Sequence, residues 1–587
     1  MVKLFKNFTK KDYLIIVFSF ILITTQVWLD LKLPDYMSSI TTLIQTEGST
    51  MGDIILQGGY MMLCALGSLI SAISVGFLTS RLSANFSLNL RSRIFRKVGK
   101  FGMEEIKKFE TSSLLTRTTN DVTQIEMFIA MGLQMLIKAP IMAIWAVSKI
   151  LNKNLEFSIL TGACVVILLI TITTLLIIVL PRFEKVQKLI DKVNGVTREN
   201  LTGIRVIRAF NAEKFQQNRF ESVNKDLTNM QMFNQKCFAI LNPVMNFVMH
   251  NLTLGIYIIG AILINKAGLI DKINLFSNMV VFTSYGMQVI AAFLMLAMIF
   301  MILPRAQISA RRINEVLDSD IAIKDGDLYV KDTKEVGTVE FKNVSFKYPD
   351  SDEYVLENIN FKAEKGETIA FIGSTGSGKS TLINLVPRFY DVTSGEVLID
   401  GINVKDYKLE SLNNKIGYVS QKAFMFTGTV KSNVGYGYNG KKQANLKKIK
   451  EAIEVAQGTD FVESMENAYD AHIARGGTNV SGGQKQRLSI ARAIARDPEI
   501  YIFDDSFSAL DYKTDATLRK SLKKYTKDAT ILIVAQRIGT IINADKIIVL
   551  DKGKCVGIGT HKELLKTCKV YKEIALSQVT KEELQNG

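Results

Sequence analysis

Residues 367–386 read ETIAFIGSTGSGKSTLINLV: a short apolar run, a turn of small residues, then a second apolar stretch with helical character. That order predicts a buried strand, a glycine turn and a helix. Within it Gly373, Ser374, Thr375, Gly376, Ser377, Gly378, Lys379 and Ser380 fit the G-x-x-x-x-G-K-[ST] pattern. Small side chains let backbone N–H groups curl around phosphate oxygens at a helix N-terminus. Lys379 is then expected to reach the β and γ phosphates of ATP, and Ser380 to hold Mg²⁺, with Thr381 completing the loop.

Downstream, EIYIFDD (499–505) is a second apolar strand ending in acids. A buried strand with one carboxylate at its tip suits magnesium bound through water, which assigns that position to Asp504. The next carboxylate, Asp505, stands where a residue orienting the attacking water is expected.

Upstream the character changes. Apolar residues make up 48% of the 587-residue chain, and the long apolar runs crowd into the first 305 residues. A helix needs about 20 residues to cross the hydrocarbon core of a bilayer. Six segments qualify, near 13–33, 54–79, 129–150, 156–181, 239–265 and 275–303. The second-to-third and fourth-to-fifth connections are long and the other three are short. Arg81, Arg91, Arg93, Arg96, Lys97 and Lys100 populate 81–100 without an acid, whereas the first short loop carries Asp35, Glu47 and Asp53 against Lys32. By the positive-inside rule both termini and both long connections are expected in the cytoplasm. The basic N-terminus MVKLFKNFTKKD runs into the first span without an A-x-A-like cleavage site, so a retained span is expected.

The net charge of +16 reads as loops facing an anionic leaflet, and no groove-reading motif points to nucleic acid. Cys64, Cys164, Cys237, Cys555 and Cys568 show no CxxC pairing or metal spacing, so they read as ordinary thiols. The long connections, RSRIFRKVGKFGMEEIKKFE (91–110) and RFEKVQKLIDKVNGVTRENLTGIRVIRAF (182–210), space apolar residues at three or four positions. They predict helices that extend the bundle into the cytoplasm, each with a flat segment at its tip near 105–118 and 201–213. Pro140 and Pro243 are expected to kink their spans. Lys138 is a candidate substrate contact, with snorkelling as the equal alternative. His250 reads as a packed histidine rather than a proton carrier.

Between the two nucleotide motifs lies VSGGQKQRLSIARA (480–493), and here the chain resembles the ABC transporter family. Ser481, Gly482, Gly483 and Gln484 match the family signature, which in that family closes over ATP held by the partner cassette. The resemblance implies further roles. Tyr348 in FKYPD would stack on adenine, and Gln421 in YVSQ would meet Mg²⁺ and the membrane domain. Ser508, Ala509, Leu510 and Asp511 would form the D-loop. The run ENLTGIRVIRAFNAEK (199–214) is similar to the second coupling region of exporters of this family. The expected architecture is an α-helical membrane domain of six transmembrane helices with long cytoplasmic extensions, over 1–317. A linker (318–337), an α/β P-loop nucleotide-binding domain (338–578) and a C-terminal tail (579–587) follow.

Two positions depart from the family's catalytic pattern. The acid after Asp504 is normally glutamate but is Asp505, which retracts the carboxylate by about 1.5 Å, one C–C bond. The switch histidine is replaced by Gln536 in Ala535-Gln536-Arg537; glutamine donates a hydrogen bond but cannot become cationic. Both changes preserve ATP binding and weaken hydrolysis. Arg475 stands where these exporters usually carry a glutamate. The pattern resembles the degenerate-site subunit of heterodimeric bacterial multidrug exporters. It implies a multi-pass subunit in the cytoplasmic membrane that moves amphipathic drugs, lipids or peptides, with a different half-transporter as partner. A homodimer with a slow Asp505 site and an importer on the exporter fold are the alternatives.

Overall fold

The computed structural model describes residues 1–6, 8–46, 48–151, 155–329, 336–437 and 444–578. Glu47 of the first loop, residues 330–335 of the linker and the 579–587 tail lie outside the described residues. The chain divides into two compact units. One comprises Met1–Gly99 with Thr111–Ser319; the other comprises Lys100–Glu110 with the chain from Asp320 on.

In the first unit six helices are long and apolar enough to cross a membrane: Lys10–Gln45, Met51–Val98, Thr111–Ile150, Leu155–Thr202, Glu213–Lys266 and Lys272–Asp318. Each contains one expected span. The first two start at reciprocal caps: Thr9 and Asp12, and Thr50 and Asp53, exchange side-chain and backbone bonds, satisfying N–H groups that a helix start leaves free. The second and fourth run unbroken for 48 residues each, about 72 Å at 1.5 Å per residue. That is more than twice a hydrocarbon core of about 30 Å. Apolar side chains such as Leu14 (70% exposed), Ile73 (64%) and Ile177 (70%) cover the outer surface, a surface suited to lipid rather than water. At the tip of the second long connection, breaks at Gly203 and Asn211 (φ +51°) isolate the short helix Ile204–Ala209.

The prolines sort themselves by position. Pro140 lies inside a helix, but Pro243 falls in the first turn of Leu241–Lys266, just after a break at Ile240. A first-turn proline loses no helical hydrogen bond, so the expected mid-span kink becomes a helix start. Pro34, beyond the expected end of the first span, lies well inside the first helix. It denies the Asp30 carbonyl its usual donor, and Gln288 Nε2 supplies one at 3.1 Å. The hydroxyl of fully buried Tyr285 lies 3.1 Å from the Leu31 carbonyl and 2.7 Å from Asp35 Oδ1. The sixth span therefore caps the interruption in the first.

Two lysines of the third span are paired with carboxylates of the first helix. Lys138 lies 3.3 Å from Asp30, and Lys149 lies 2.8 Å from Asp35. The Lys138 ammonium turns to this carboxylate, so snorkelling does not describe it. His250 is exposed on the chain surface rather than packed.

In the second unit a six-stranded sheet contains β1 (Thr368–Gly373), β2 (Ile416–Val419), β3 (Ile500–Asp504), β4 (Thr530–Val534), β5 (Lys546–Asp551) and β6 (Lys554–Gly559). Their order is β6-β5-β1-β4-β3-β2. All neighbours are parallel except β5 and β6. Strands buried on both faces need continuous apolar runs, and IYIFD and TILIV are buried at every position. A smaller antiparallel sheet orders Leu356–Ala363, Val339–Phe346, Ser394–Ile399 and Ile402–Asn403. Because β1, β2, β3 and β4 run parallel, their C-terminal ends share one edge. In open α/β sheets ligands bind outside that edge.

The short helix Met103–Phe109 belongs to this second unit. Buried Glu105 accounts for the placement: its Oε2 accepts the Gly102 N–H at 2.7 Å and its Oε1 accepts the Ala322 N–H at 2.7 Å. The first flat segment is divided by Glu110, at φ +54°, from the helix Thr111–Thr118 of the other unit.

Candidate functional site

The loop between β1 and the helix Lys379–Asn384 forms the centre of the site. A Cβ at Gly373 would lie 2.0 Å from the Leu550 carbonyl oxygen, and one at Gly378 (φ +95°) 2.7 Å from Leu356 Cδ2. Only glycine lets the chain pass both points. Between them Ser374, Thr375 and Gly376 form an exposed tip, and no atom lies within 4 Å of where a Gly376 Cβ would stand. Lys379 Nζ curls into the loop, 2.9 Å from the Gly373 carbonyl, 2.7 Å from that of Ser374 and 3.4 Å from Ser377 Oγ. Burial lowers its pKa, and the Asp505 and Asp504 charges oppose that shift. Among the described residues no carboxylate forms an ion pair with this ammonium, which leaves it available to an anion.

At the tip of β3, Asp504 Oδ1 accepts the Ser380 hydroxyl at 2.7 Å. Burial raises the pKa of both acids; the Ser380 bond opposes this at Asp504 and the Gln421 bond at Asp505. A glycine-rich loop at a helix N-terminus, one lysine, and a hydroxyl facing a carboxylate form a donor set that fits a nucleotide polyphosphate with a divalent cation.

Asp505 leaves the strand with φ +48°, and its N–H donates to the Val534 carbonyl of β4 at 3.0 Å. Two side-chain amides then converge on one of its oxygens. Gln536 Nε2 is 2.8 Å and Gln421 Nε2 is 3.2 Å from Asp505 Oδ2. Strand order explains the meeting, since β2, β3 and β4 are consecutive neighbours and each delivers one of the three residues.

Tyr348 stands beside the loop, its hydroxyl 3.0 Å from Thr381 Oγ1 and its ring edge-on to Phe346 and Tyr390 at 5.0 and 5.3 Å. Lys107, from the first tip, lies 5.7 Å from the Tyr348 ring centroid and 2.6 Å from Asp350. Tyr348, Phe346 and Tyr390 border a cavity of about 260 Å³ that also reaches Glu104 and Ile323. The sequence reading did not include Lys107; its basic run gave no sign of an aromatic partner 241 positions away.

The signature begins a helix. Ser481 caps Gly482–Arg496, its N–H donating to Gln484 Oε1 at 2.9 Å while the Gln484 N–H donates to Ser481 Oγ at 3.3 Å. Ser481 and Gly482 are exposed, and the space beside Gly482 is open. Among the described residues no hydrogen bond joins Ser481–Gln484 to the Gly373–Ser380 loop. In the D-loop, Ser508 Oγ donates to the Asp505 carbonyl at 2.9 Å, Ala509 is exposed, Leu510 is buried, and Asp511 caps the helix Tyr512–Tyr525. Arg475 is exposed, and no ion pair of it occurs among the described residues. Of the thiols, Cys164 and Cys568 are buried, and all five are free.

A bundle of membrane-spanning helices joined to a phosphate-binding α/β unit defines a membrane protein with its own nucleotide site. The family model for the ABC transporter matches residues 356–508, and that for the ABC transporter transmembrane region matches residues 14–303. An uncharacterized ABC transporter ATP-binding protein of Mycobacterium tuberculosis is 38% identical over 547 residues, covering 92% of this chain and 93% of the relative. The ATP-dependent lipid A-core flippase of Syntrophus aciditrophicus is 31% identical over 506 residues, covering 85% and 80%. The solved structure of a bacterial Atm1-family ABC exporter with ATP bound shares the fold, with TM-score 0.82, 23% identity, and 97% and 98% of the two chains covered. The chain belongs to the ABC transporter family: a multi-pass membrane protein with an ATP-binding cassette.

Proposed function

We propose that this chain is one subunit of an ATP-driven exporter whose own site holds MgATP and hydrolyses it slowly. In this reading Tyr348 stacks on adenine and the Gly373–Thr381 loop cradles the phosphates. Ser380, Gln421 and, through water, Asp504 hold Mg²⁺, which neutralises phosphate charge when bound. Ser481–Gln484 closes over ATP in a partner cassette, and Ser508–Asp511 lies along the same contact. The termini and cassette face the cytoplasm, as the loop charges direct. The cargo is an amphipathic drug, lipid or peptide. The flippase among the relatives supports the lipid member of that set. Lys138, neutralised by Asp30, is a poor anchor for an anionic cargo and is better read as part of the bundle's internal pairing.

The observation that carries slow hydrolysis is the state of Asp505. Its carboxylate sits on the shorter of the two acidic side chains, and one of its oxygens accepts two amides. Orienting a water for in-line attack requires a free, correctly placed carboxylate oxygen. Gln536 supplies a neutral donor where a cationic imidazole would stabilise departing charge. Two copies of such a site would leave a homodimer without a fast one, so the partner is a different half-transporter. Purified alone in lipid nanodiscs, the chain should bind MgATP with turnover at least tenfold below that of the assembled pair. Brisk turnover by the chain alone would refute the reading.

A further inference from the structure

Gln578 ends the helix Lys569–Gln578. Its side-chain amide makes two hydrogen bonds to the backbone around Gln536. Nε2 donates to the Gln536 carbonyl at 2.7 Å, and Oε1 accepts the Ile538 N–H at 2.8 Å. A primary amide that meets the C=O of one residue and the N–H of the residue two further on reproduces the pairing that the N–H and C=O of one residue make from a neighbouring parallel strand. The segment Gln536–Ile538 follows β4, and among the described residues no strand lies beside it; Gln578 takes that place.

The support is anchored. Tyr571 and Ala575 on the same helix are fully buried, and the Tyr571 hydroxyl is 2.7 Å from His561 Nδ1. The position of Gln578 is therefore set by packing in the sheet unit. On the other side, the Gln536 side chain reaches Asp505 at 2.8 Å. A continuous path runs from the C-terminal helix through the Gln536 backbone to the carboxylate beside the nucleotide loop.

We propose that Gln578 is a positioning residue for the switch: it fixes the Gln536 backbone so that the Gln536 amide, which meets Asp505 in this structure, is placed to reach the terminal phosphate of ATP when ATP is bound. The inference rests on the reading that Gln536 meets the γ-phosphate. Its consequence is selective. ATP should be held more weakly when the clamp is removed, while ADP, which lacks that phosphate, should be indifferent.

Equilibrium binding of MgATP and MgADP to the full-length chain in nanodiscs tests this. Gln578→Ala removes both bonds, and Gln578→Glu removes only the donor to the Gln536 carbonyl at nearly constant size. A neutral hydrogen bond is worth roughly two- to tenfold in an equilibrium. Both variants should therefore weaken ATP binding about three- to tenfold, with ADP unchanged within twofold. In a Gln536→Ala background, Gln578→Ala should have no further effect on ATP. Equal loss of ATP and ADP would mean general loosening and would overturn the proposal. So would unchanged ATP affinity in Gln578→Ala when Gln536→Ala itself weakens ATP. If Gln536→Ala leaves ATP affinity intact, the γ-phosphate reading falls and the proposal falls with it.

Discussion

The side-chain amide of Gln536 donates a 2.8 Å hydrogen bond to Asp505 Oδ2, so the two residues on which the proposed slow hydrolysis rests touch each other. A longer acid and a basic switch residue are therefore a coupled change rather than two separate ones. Asp505→Glu combined with Gln536→His should raise ATP turnover of the full-length chain at least tenfold, and by more than the product of the single effects. The check is steady-state phosphate release by the chain alone, wild type against both single variants and the double. Unchanged turnover in the double variant would refute the proposal that these two residues slow hydrolysis.

Lys415 stands at the opposite end of the strands that deliver these residues, just before β2. Its ammonium is nearly buried, 2.8 Å from Asp400 and 2.7 Å from Glu499, so it ties the smaller sheet to the start of β3. Lys415→Met keeps most of the volume but leaves the Asp400 side chain, 0% exposed, without its cation. Breaking a buried pair from one side costs about 3–5 kcal/mol. Thermal unfolding of the full-length chain should show a clear fall in midpoint, and Asp400→Asn added to Lys415→Met should recover part of it.

Local patterns revealed much of this molecule. The Gly373–Ser380 loop, the EIYIFDD strand and the six apolar spans are contiguous, and their chemistry is written in neighbouring residues. The relationships that escaped are those between distant residues. Lys138 and Asp30 are 108 positions apart, Gln288 and Asp30 are 258 apart, and Lys107 and Asp350 are 243 apart. Helix periodicity reports which face a side chain occupies, but not which helix that face meets. Lys138 illustrates the limit. From sequence alone it is a costly intramembrane charge with two equal explanations, and only the approach of the first helix supplies its partner. Pro34 was hidden for a different reason: it lay just past the expected end of a span, where a helix stop and a capped interior proline read alike.

His561 gives the C-terminal helix a pH dependence. Burial lowers its pKa below the ordinary histidine value, and Lys562 adds to the shift. In the window between that lowered value and 6.5, the unfolded chain binds more protons than the folded one, so stability rises with pH. The contribution is fully present above about pH 6.5 and is lost as the pH falls toward the folded-state value. His561→Gln keeps a partner for Tyr571 but does not titrate. Its unfolding midpoint should therefore fall less than that of wild type between pH 7.5 and pH 5.5.

The first span is held to its neighbours by side chains at and before the Pro34 interruption. Tyr285 bonds the Leu31 carbonyl and Asp35, Gln288 bonds the Asp30 carbonyl, and Lys138 and Lys149 pair with Asp30 and Asp35. Away from water, a carbonyl freed by proline has few alternative donors, so Tyr285→Phe should cost about 1–3 kcal/mol. Lys149→Met removes the ion pair but keeps the Tyr285 bond to Asp35. Exchanging the charges, with Asp35→Lys and Lys149→Asp together, restores the pair in reverse but loses the Tyr285 bond to Asp35, so it should be more stable than Asp35→Lys alone. The chain's two tryptophans, Trp28 and Trp145, flank this region on the first and third spans. Their fluorescence provides the readout during thermal unfolding in nanodiscs. A charge exchange that recovers nothing would show that Asp35 and Lys149 act through other neighbours rather than through each other.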